Sequence, residues 1–442
     1  MEKKQKEFHK SRREKFMQII GKETMAIIFS NSIRNASFDQ DYHFKQNKNF
    51  YYLTGFNEPN SVLILIPSGI KIKLDASGKK FKTVREILFV QEKDKKMETW
   101  NGKRLGEKNV TSGLGIEMGA LNSSLPEFFH NHLTRRIKNL YIDFVEMYDV
   151  GGELKEYMTS FMNMLRVDAL HFQLIDSAHI LGKMRKVKTE FEIEQIQKAV
   201  DITAESFEEL RKNLSAGMYE YQAQALLEFN YKNRGATDNA YGTIMASGNN
   251  ANTLHYETNR DKIKDGDLVL IDSAAEYNYY CADITRTYPA SGKFTDAQRE
   301  IYEKVLVINK LCIKKVKPGV RFSEVRKFCD DLTAAALIDL KIIKKKEEAK
   351  RFILHGVGHH IGLDTHDAVP YGFGETFDND TLRPGNVLTI EPGIYFEKGM
   401  KGVPAKYQGI GVRIEDDILV TKTGNINLSE AIKKEVKEVE RN

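Results

Sequence analysis

Short apolar runs at 26–29, 62–66, 87–90 and 140–142, rich in β-branched and aromatic residues, read as strands, while 10–20 and 125–137 carry helical spacing. This first third predicts a sheet covered by helices and shows no obvious chemical cluster. The pattern changes near 177–190. Residues 189–214 form a long amphipathic helix, with Phe191, Ile193, Ile196, Val200, Ile202 and Phe207 spread around one broad face. Gly217 stops it, and a second helix covers about 219–233. A similar pair recurs over 296–316, ending at Pro318-Gly319, and 322–340. Both pairs precede strand-like segments bearing histidines. The second part therefore reads as two αα-plus-strand halves of one domain, an arrangement that chance could also produce, because helix–Gly–helix units are common.

At 442 residues the chain is too long for one ordinary core. The expected organisation is α/β (α+β), with an N-terminal mixed domain over 1–176 and a second domain over 177–442. A hydrophobic content of 41% and a charged content of 29% argue against long disordered tracts. The net charge of +5 is a small excess over nearly balanced acids and bases, which argues against a nucleic-acid-binding stripe. Cys281, Cys312 and Cys329 have no CxxC spacing and read as small buried hydrophobes rather than a disulfide framework. The charged N-terminus lacks a signal-peptide core, and the longest apolar runs are strand-sized, so a cytoplasmic protein without a membrane span is expected.

The chemistry is concentrated in the second domain. Asp265-Gly266 is a turn signal before a buried strand that ends at Asp272, and 281–287 reads as a second strand in period-two alternation carrying Asp283. A tight connection would bring Asp272 and Asp283 together, where two carboxylates repel unless a cation lies between them; loop capping is the plain alternative. In HGVGHH the two glycines, and the absence of Glu after His355, disfavour a helical zinc pair and favour extended backbone projecting His355 and His359 separately. His366 follows in a chain with 11 histidines. Glu391 closes a strand before Pro392-Gly393, and the alternating stretch 409–421 places Arg413 and Glu415 on one face and Val412 and Ile414 on the other. Taken alone, Arg413 and Glu415 read as a solvated face with a surface ion pair. Together, four carboxylates with one to three histidines suit two hard divalent ions, manganese or magnesium better than a thiolate-seeking metal. Such ions would acidify a bridging water to a hydroxide near neutral pH, aimed at a carbonyl or a phosphoryl group.

The order of Asp272, Asp283, His359, Glu391 and Glu415, with the two aspartates eleven positions apart, resembles the metal ligands of the pita-bread metallopeptidases. The surrounding LIDSAAEYNYYCADITRTYP, HGVGHHIGLDTHD, TIEPGIY and GIGVRIEDD stretches are similar as well. His255 in SGNNANTLHYETN points to the proline-specific members, and NFYYLTGFNEPN with VLILIP, RREKF and ETWNGKRLG resembles the non-catalytic N-terminal domain of aminopeptidase P. The resemblance implies a pita-bread catalytic domain holding two divalent ions, manganese by expectation. Asp272, Asp283 and Glu415 would hold one, and Asp283, His359, Glu391 and Glu415 the other. It also implies that a bridging hydroxide attacks the carbonyl before proline and that Glu391 shuttles a proton. His355 would stabilise the tetrahedral oxygen, His255 and His366 would orient substrate, and Arg413 would buttress the site. The expected partners are peptides with proline second, without nucleic acid or membrane, in a homo-oligomer, either dimer or tetramer. Prolidase activity and a catalytically inactive binding module stay open as alternatives.

Overall fold

In the computed structural model the chain divides into two compact units, Met1–Leu181 and Gly182–Asn442. The division falls inside the helix Ala178–Lys186, at Gly182, within the stretch where the pattern changes. The structure describes residues 1–73, 81–132, 137–143, 159, 161, 163, 172–367 and 381–441.

The first unit is built on a six-stranded sheet of β1 (Thr24–Phe29), β2 (Val62–Lys73), β3 (Phe81–Val90), β4 (Met118–Leu121), β5 (Asn139–Ile142) and β6 (Gln173–Asp176), in the order β4-β3-β2-β1-β5-β6. The three central strands pair antiparallel and the outer ones join parallel. β1 is buried along its whole length, which explains why it reads as an apolar run rather than an alternation. Helix α1 (Lys3–Ile20) begins earlier than the spacing suggested, because its first turns are charged and contribute only Phe8 and His9 to the interior. Its Arg13 is fully buried, with Nε 3.0 Å from Glu86 and its terminal nitrogens donating to the Leu53 and Gly115 carbonyls. The ion pair and the two carbonyl acceptors are what make a buried guanidinium tolerable. Asn47 caps α2 (Lys48–Thr54) by accepting from the Phe50 amide. Gly55 ends α2 at φ 63°, and a β-carbon there would stand 2.4 Å from the His9 ring, so conformation and space both demand glycine. The helix expected over 125–137 runs Leu125–His132, and 133–136 lie outside the described residues.

In the second unit, α3 (Glu190–Asn213), α4 (Glu220–Asn233), α5 (Asp296–Lys315) and α6 (Phe322–Asp339) surround short antiparallel strands. One continuous core joins them, including Phe207, Leu227, Ile271, Ile301, Leu337, Ile390 and Val412. The strands include β7 (Ile244–Ser247), β8 (Leu268–Asp272), β9 (Ala275–Tyr277), β10 (Tyr280–Cys281), β11 (Thr285–Pro289), β12 (Val387–Ile390), β13 (Gly393–Phe396), β14 (Ile410–Arg413) and β15 (Asp416–Val420). β8 lies between β7 and β11, β9 pairs with β10, β12 with β15 and β13 with β14. All three cysteines are buried and free.

Two expectations are corrected. The strand expected over 281–287 is two strands in different sheets: the chain leaves β10 at Cys281 and joins β8 from Thr285, with Asp283 at the changeover. Residues 281–289 are buried throughout, so alternation there reports no exposed face. The stretch 409–421 also breaks, with Ile414 and Glu415 between β14 and β15. Arg413 and Glu415 are both buried, not on a solvated face, and Arg413 pairs with Asp272.

Candidate metal centre

Five strand ends and one glycine-rich segment converge on a single cavity of about 730 Å³. Its lining includes Asp272, Asp283, His359, Glu391 and Glu415 together with His255, His355, His366 and Arg413. Every residue that the sequence singled out therefore reaches the same cavity.

The HGVGHH segment runs extended beside β12. The His359 amide donates to Thr389 Oγ1 at 3.0 Å, the Thr389 amide to the His359 carbonyl at 2.8 Å and the Glu391 amide to the Val357 carbonyl at 2.9 Å. A β-carbon on Gly358, at φ 157°, would stand 2.0 Å from the Thr389 carbonyl oxygen. The glycine is what lets the two chains lie this close and carries His359 to the end of β12, next to Glu391.

Asp283, His359 and Glu415 offer ligand atoms that all lie within 4.8 Å of one another. His359 Nε2 is 3.3 Å from Asp283 and 3.7 Å from Glu391. On the other side, the Tyr241 hydroxyl lies 2.6 Å from a carboxylate oxygen of both Asp272 and Asp283. One hydroxyl carries one proton and cannot satisfy two carboxylates fully. Thr285 donates to Glu415 at 2.6 Å, and Arg413 donates to Asp272 at 2.6 Å, to Tyr395 at 2.9 Å and to Thr285 at 3.1 Å. Among the described residues, Arg413 is the guanidinium hydrogen-bonded into this group of four carboxylates.

The electrostatics record that deficit of positive charge. Burial, and then neighbouring carboxylates, push Glu415 and Glu391 above the usual carboxylate range. Asp272 is raised by burial and by Asp283, against the pull of Arg413. Burial alone would lower His359, but its hydrogen bond to Asp283 and the charges of Asp283 and Glu391 raise it to about 9. Divalent cations would resolve this repulsion, and the oxygen-rich donor set with one imidazole fits them. The residues present fit the group that the sequence implied.

The three remaining histidines differ. His355 is lowered to about 4 by burial and by Arg413; Nδ1 is 2.8 Å from the Gly356 carbonyl and Nε2 2.7 Å from the Tyr395 hydroxyl. His366 stacks edge-on against His359, with ring centroids 4.2 Å apart. His255 is exposed at the cavity wall.

Sequence reasoning missed Tyr241, Thr285 and Tyr395. Tyr241 precedes β7 in a stretch with no carboxylate or histidine spacing, so only its place immediately before a buried strand could have drawn notice. Thr285 and Tyr395 look like ordinary strand residues.

Residues 194–422 match metallopeptidase family M24, and residues 9–141 match the aminopeptidase P N-terminal domain. The chain is 34% identical to the Xaa-Pro aminopeptidase of Escherichia coli, over 97% of this chain and 96% of that protein. It is 33% identical to the Xaa-Pro aminopeptidase 3 of Homo sapiens, over 97% of this chain and 84% of that one. Among solved structures, E. coli aminopeptidase P with the inhibitor Pro-Leu superposes with a TM-score of 0.88 at 33% identity, covering 98% of this chain and 97% of that one. Proline aminopeptidase P II from Yersinia pestis gives 0.86 at 32% identity, covering 98% of each chain. With similarity of this length on both units and a metal-type cluster in the cavity, the chain belongs to metallopeptidase family M24, among the Xaa-Pro aminopeptidases.

Proposed function

We propose that this protein is a dinuclear metal-dependent aminopeptidase that hydrolyses the peptide bond before an N-terminal Xaa-Pro proline and releases the preceding residue. The observation that carries this reading is the convergence of Asp272, Asp283, His359, Glu391 and Glu415 on one cavity, with buried negative charge that the protein leaves uncompensated. Asp272, Asp283 and Glu415 would hold one ion and Asp283, His359, Glu391 and Glu415 the other, with manganese as the working metal. Bound cations there would polarise a carbonyl and acidify water toward neutral pH.

The protein's own groups do the rest. Glu391 lies between His359 and His355, whose Nδ1 is 3.4 Å away, and would take a proton from the attacking water and pass it to the leaving nitrogen. Arg413 fixes Asp272 and, through Tyr395, the His355 ring. To meet the oxygen of a tetrahedral intermediate, His355 would exchange its contact with Tyr395 or Gly356 for that oxygen. His255 and His366 flank the cavity and would orient the peptide. Proline removes the amide hydrogen that ordinary exopeptidase pockets grip, so recognition must fall on the ring, against walls such as Ile244 and Leu254.

The unit Met1–Leu181 is read as a non-catalytic domain and Gly182–Asn442 as the pita-bread catalytic domain. The match of 9–141 to the aminopeptidase P N-terminal domain favours this activity over a dipeptide-only prolidase. No described helix is long and apolar enough to cross a membrane. A cytoplasmic homo-oligomer completes the proposal.

The test is hydrolysis by the manganese-loaded protein of an Xaa-Pro-Yaa tripeptide, an Xaa-Pro dipeptide and an Xaa-Ala-Yaa control, with products identified by mass spectrometry. Release of Xaa from the proline tripeptide alone, or in clear preference, is expected. Exclusive turnover of the dipeptide would make it a prolidase, and no turnover of any peptide would overturn the reading.

A further inference from the structure

His255 is exposed at the cavity wall, and among the described residues no hydrogen bond fixes its ring. Its position must therefore come from the backbone that carries it, residues 247–261. This segment is mostly irregular, with a short 3-10 turn at Gly248–Asn252, and would be mobile without an anchor. Asn259 and Asn249 each tie one point of it to neighbouring backbone, and a single further side chain gathers several points at once. Glu220, at the first turn of α4, is completely buried. Its Oε1 accepts from the Ser247 amide and hydroxyl, both at 2.8 Å, and from Asn250 Nδ2 at 3.0 Å. Its Oε2 accepts from the Tyr256 hydroxyl and the Asp261 amide, both at 2.9 Å. The Glu220 amide in turn donates to the Asp261 carbonyl at 2.9 Å.

These donors sit at both ends of the segment, in its 3-10 turn and on the residue next to His255. Among the described residues no lysine or arginine pairs with Glu220; five neutral donors and the N-terminal end of α4 hold the carboxylate. Burying a carboxylate without a cation is costly, and the site that bears this cost ties a cavity-lining loop to a helix.

We propose that Glu220 is a positioning residue for catalysis: it sets the 247–261 segment so that His255 meets the substrate. The proposal rests on the aminopeptidase reading for His255, while the segment's anchoring does not. The geometry also says why no isostere will serve. In Glu220→Gln one oxygen becomes an NH2 group; the Ser247 and Tyr256 hydroxyls can turn to accept from it, but whichever way the amide turns a backbone N–H, that of Ser247 or of Asp261, then faces a donor.

The test joins kinetics to hydrogen exchange on the metal-loaded full chain. Glu220→Gln should keep its metal content and lose about 10-fold or more in kcat/KM, up to but not beyond the loss in His255→Ala, since displacements of about 1 Å can cost this much. In the double variant with His255→Ala, the loss should be no greater than for His255→Ala alone, because Glu220 acts through that ring. Amide exchange should quicken across 247–261 and stay unchanged across β8. If Glu220→Gln does not fold, Asn250→Ala carries the same test with a smaller loss. Multiplicative losses in the double variant, or unchanged exchange across 247–261, would overturn the proposal. Absence of peptidase activity in the unmodified protein would instead sink the functional reading, and the exchange result would still judge the anchor.

Discussion

A single substitution can separate ligand from positioner. Asp283 faces Tyr241, His359 and the Glu415 side of the cluster at once, so its charge is shared across the whole proposed site. Asp283→Asn should lose turnover to background and lower the bound metal per chain, read by elemental analysis of the purified variant. Full activity with intact metal would contradict the ligand assignment. His255 stands apart from that cluster. His255→Ala is expected to bind metal normally while losing about 10- to 100-fold in kcat/KM, the scale of one misplaced orienting group. Loss of the metal in that variant would show that it had been assigned the wrong task. Both contrasts arise from the same fact, that a group shared between cations cannot be replaced by a neutral one, whereas a group touching only the peptide can.

Among the elements, two contacts make sharp tests. The HGVGHH segment can lie beside β12 only because Gly358 has no side chain. Gly358→Ala forces either the Thr389 carbonyl or the His359 backbone aside, so activity and metal affinity should fall together, and melting should show a loss of a few kcal/mol. Wild-type metal affinity in that variant would mean that the segment moves without cost. In the first unit, burial, with a further push from Arg13, holds His9 on α1 at about 3 against an ordinary value of 6.5. Its folded-state value lies below the unfolded one, so between these two the unfolded chain binds more protons. Stability is therefore full above pH 6.5 and falls as the pH drops toward 3. From pH 6.5 to 5 the loss should be about 2 kcal/mol. Native-state hydrogen exchange in α1 would register it, and His9→Gln, which can still donate to the Tyr52 carbonyl, should flatten the profile. An equal slope in the variant would place the titration elsewhere.

For the molecule as a whole, metal and fold should be linked. The cavity gathers repelling carboxylates from strands in three different sheets, so cations that bind there stabilise the folded chain and not the unfolded one. Chelation should abolish activity and lower the melting temperature, and added manganese should restore both. At about 100 times the dissociation constant the gain is about 2.7 kcal/mol. A melting temperature indifferent to chelator would contradict a metal centre in this cavity.

The sequence alone determined the helix pairs, the buried strands and the identity of the polar residues that matter, because apolar periodicity, turn residues and rare histidines are local signals. It also carried the order of five candidate ligands, Asp272, Asp283, His359, Glu391 and Glu415, four of them on or closing strand-like runs and His359 in a glycine-rich segment. Only the tertiary structure decided which strands those residues close. Asp283 sits at a change of sheet, and Arg413 turns inward to Asp272 and reaches Glu415 through Thr285. Tyr241, Thr285 and Glu220 were invisible for the same reason: their partners lie far along the chain, and a hydroxyl or carboxylate shows no spacing until the fold brings its partners within about 3 Å. Periodicity reports which face of an element is buried. What that face meets is set by the packing of elements distant in sequence.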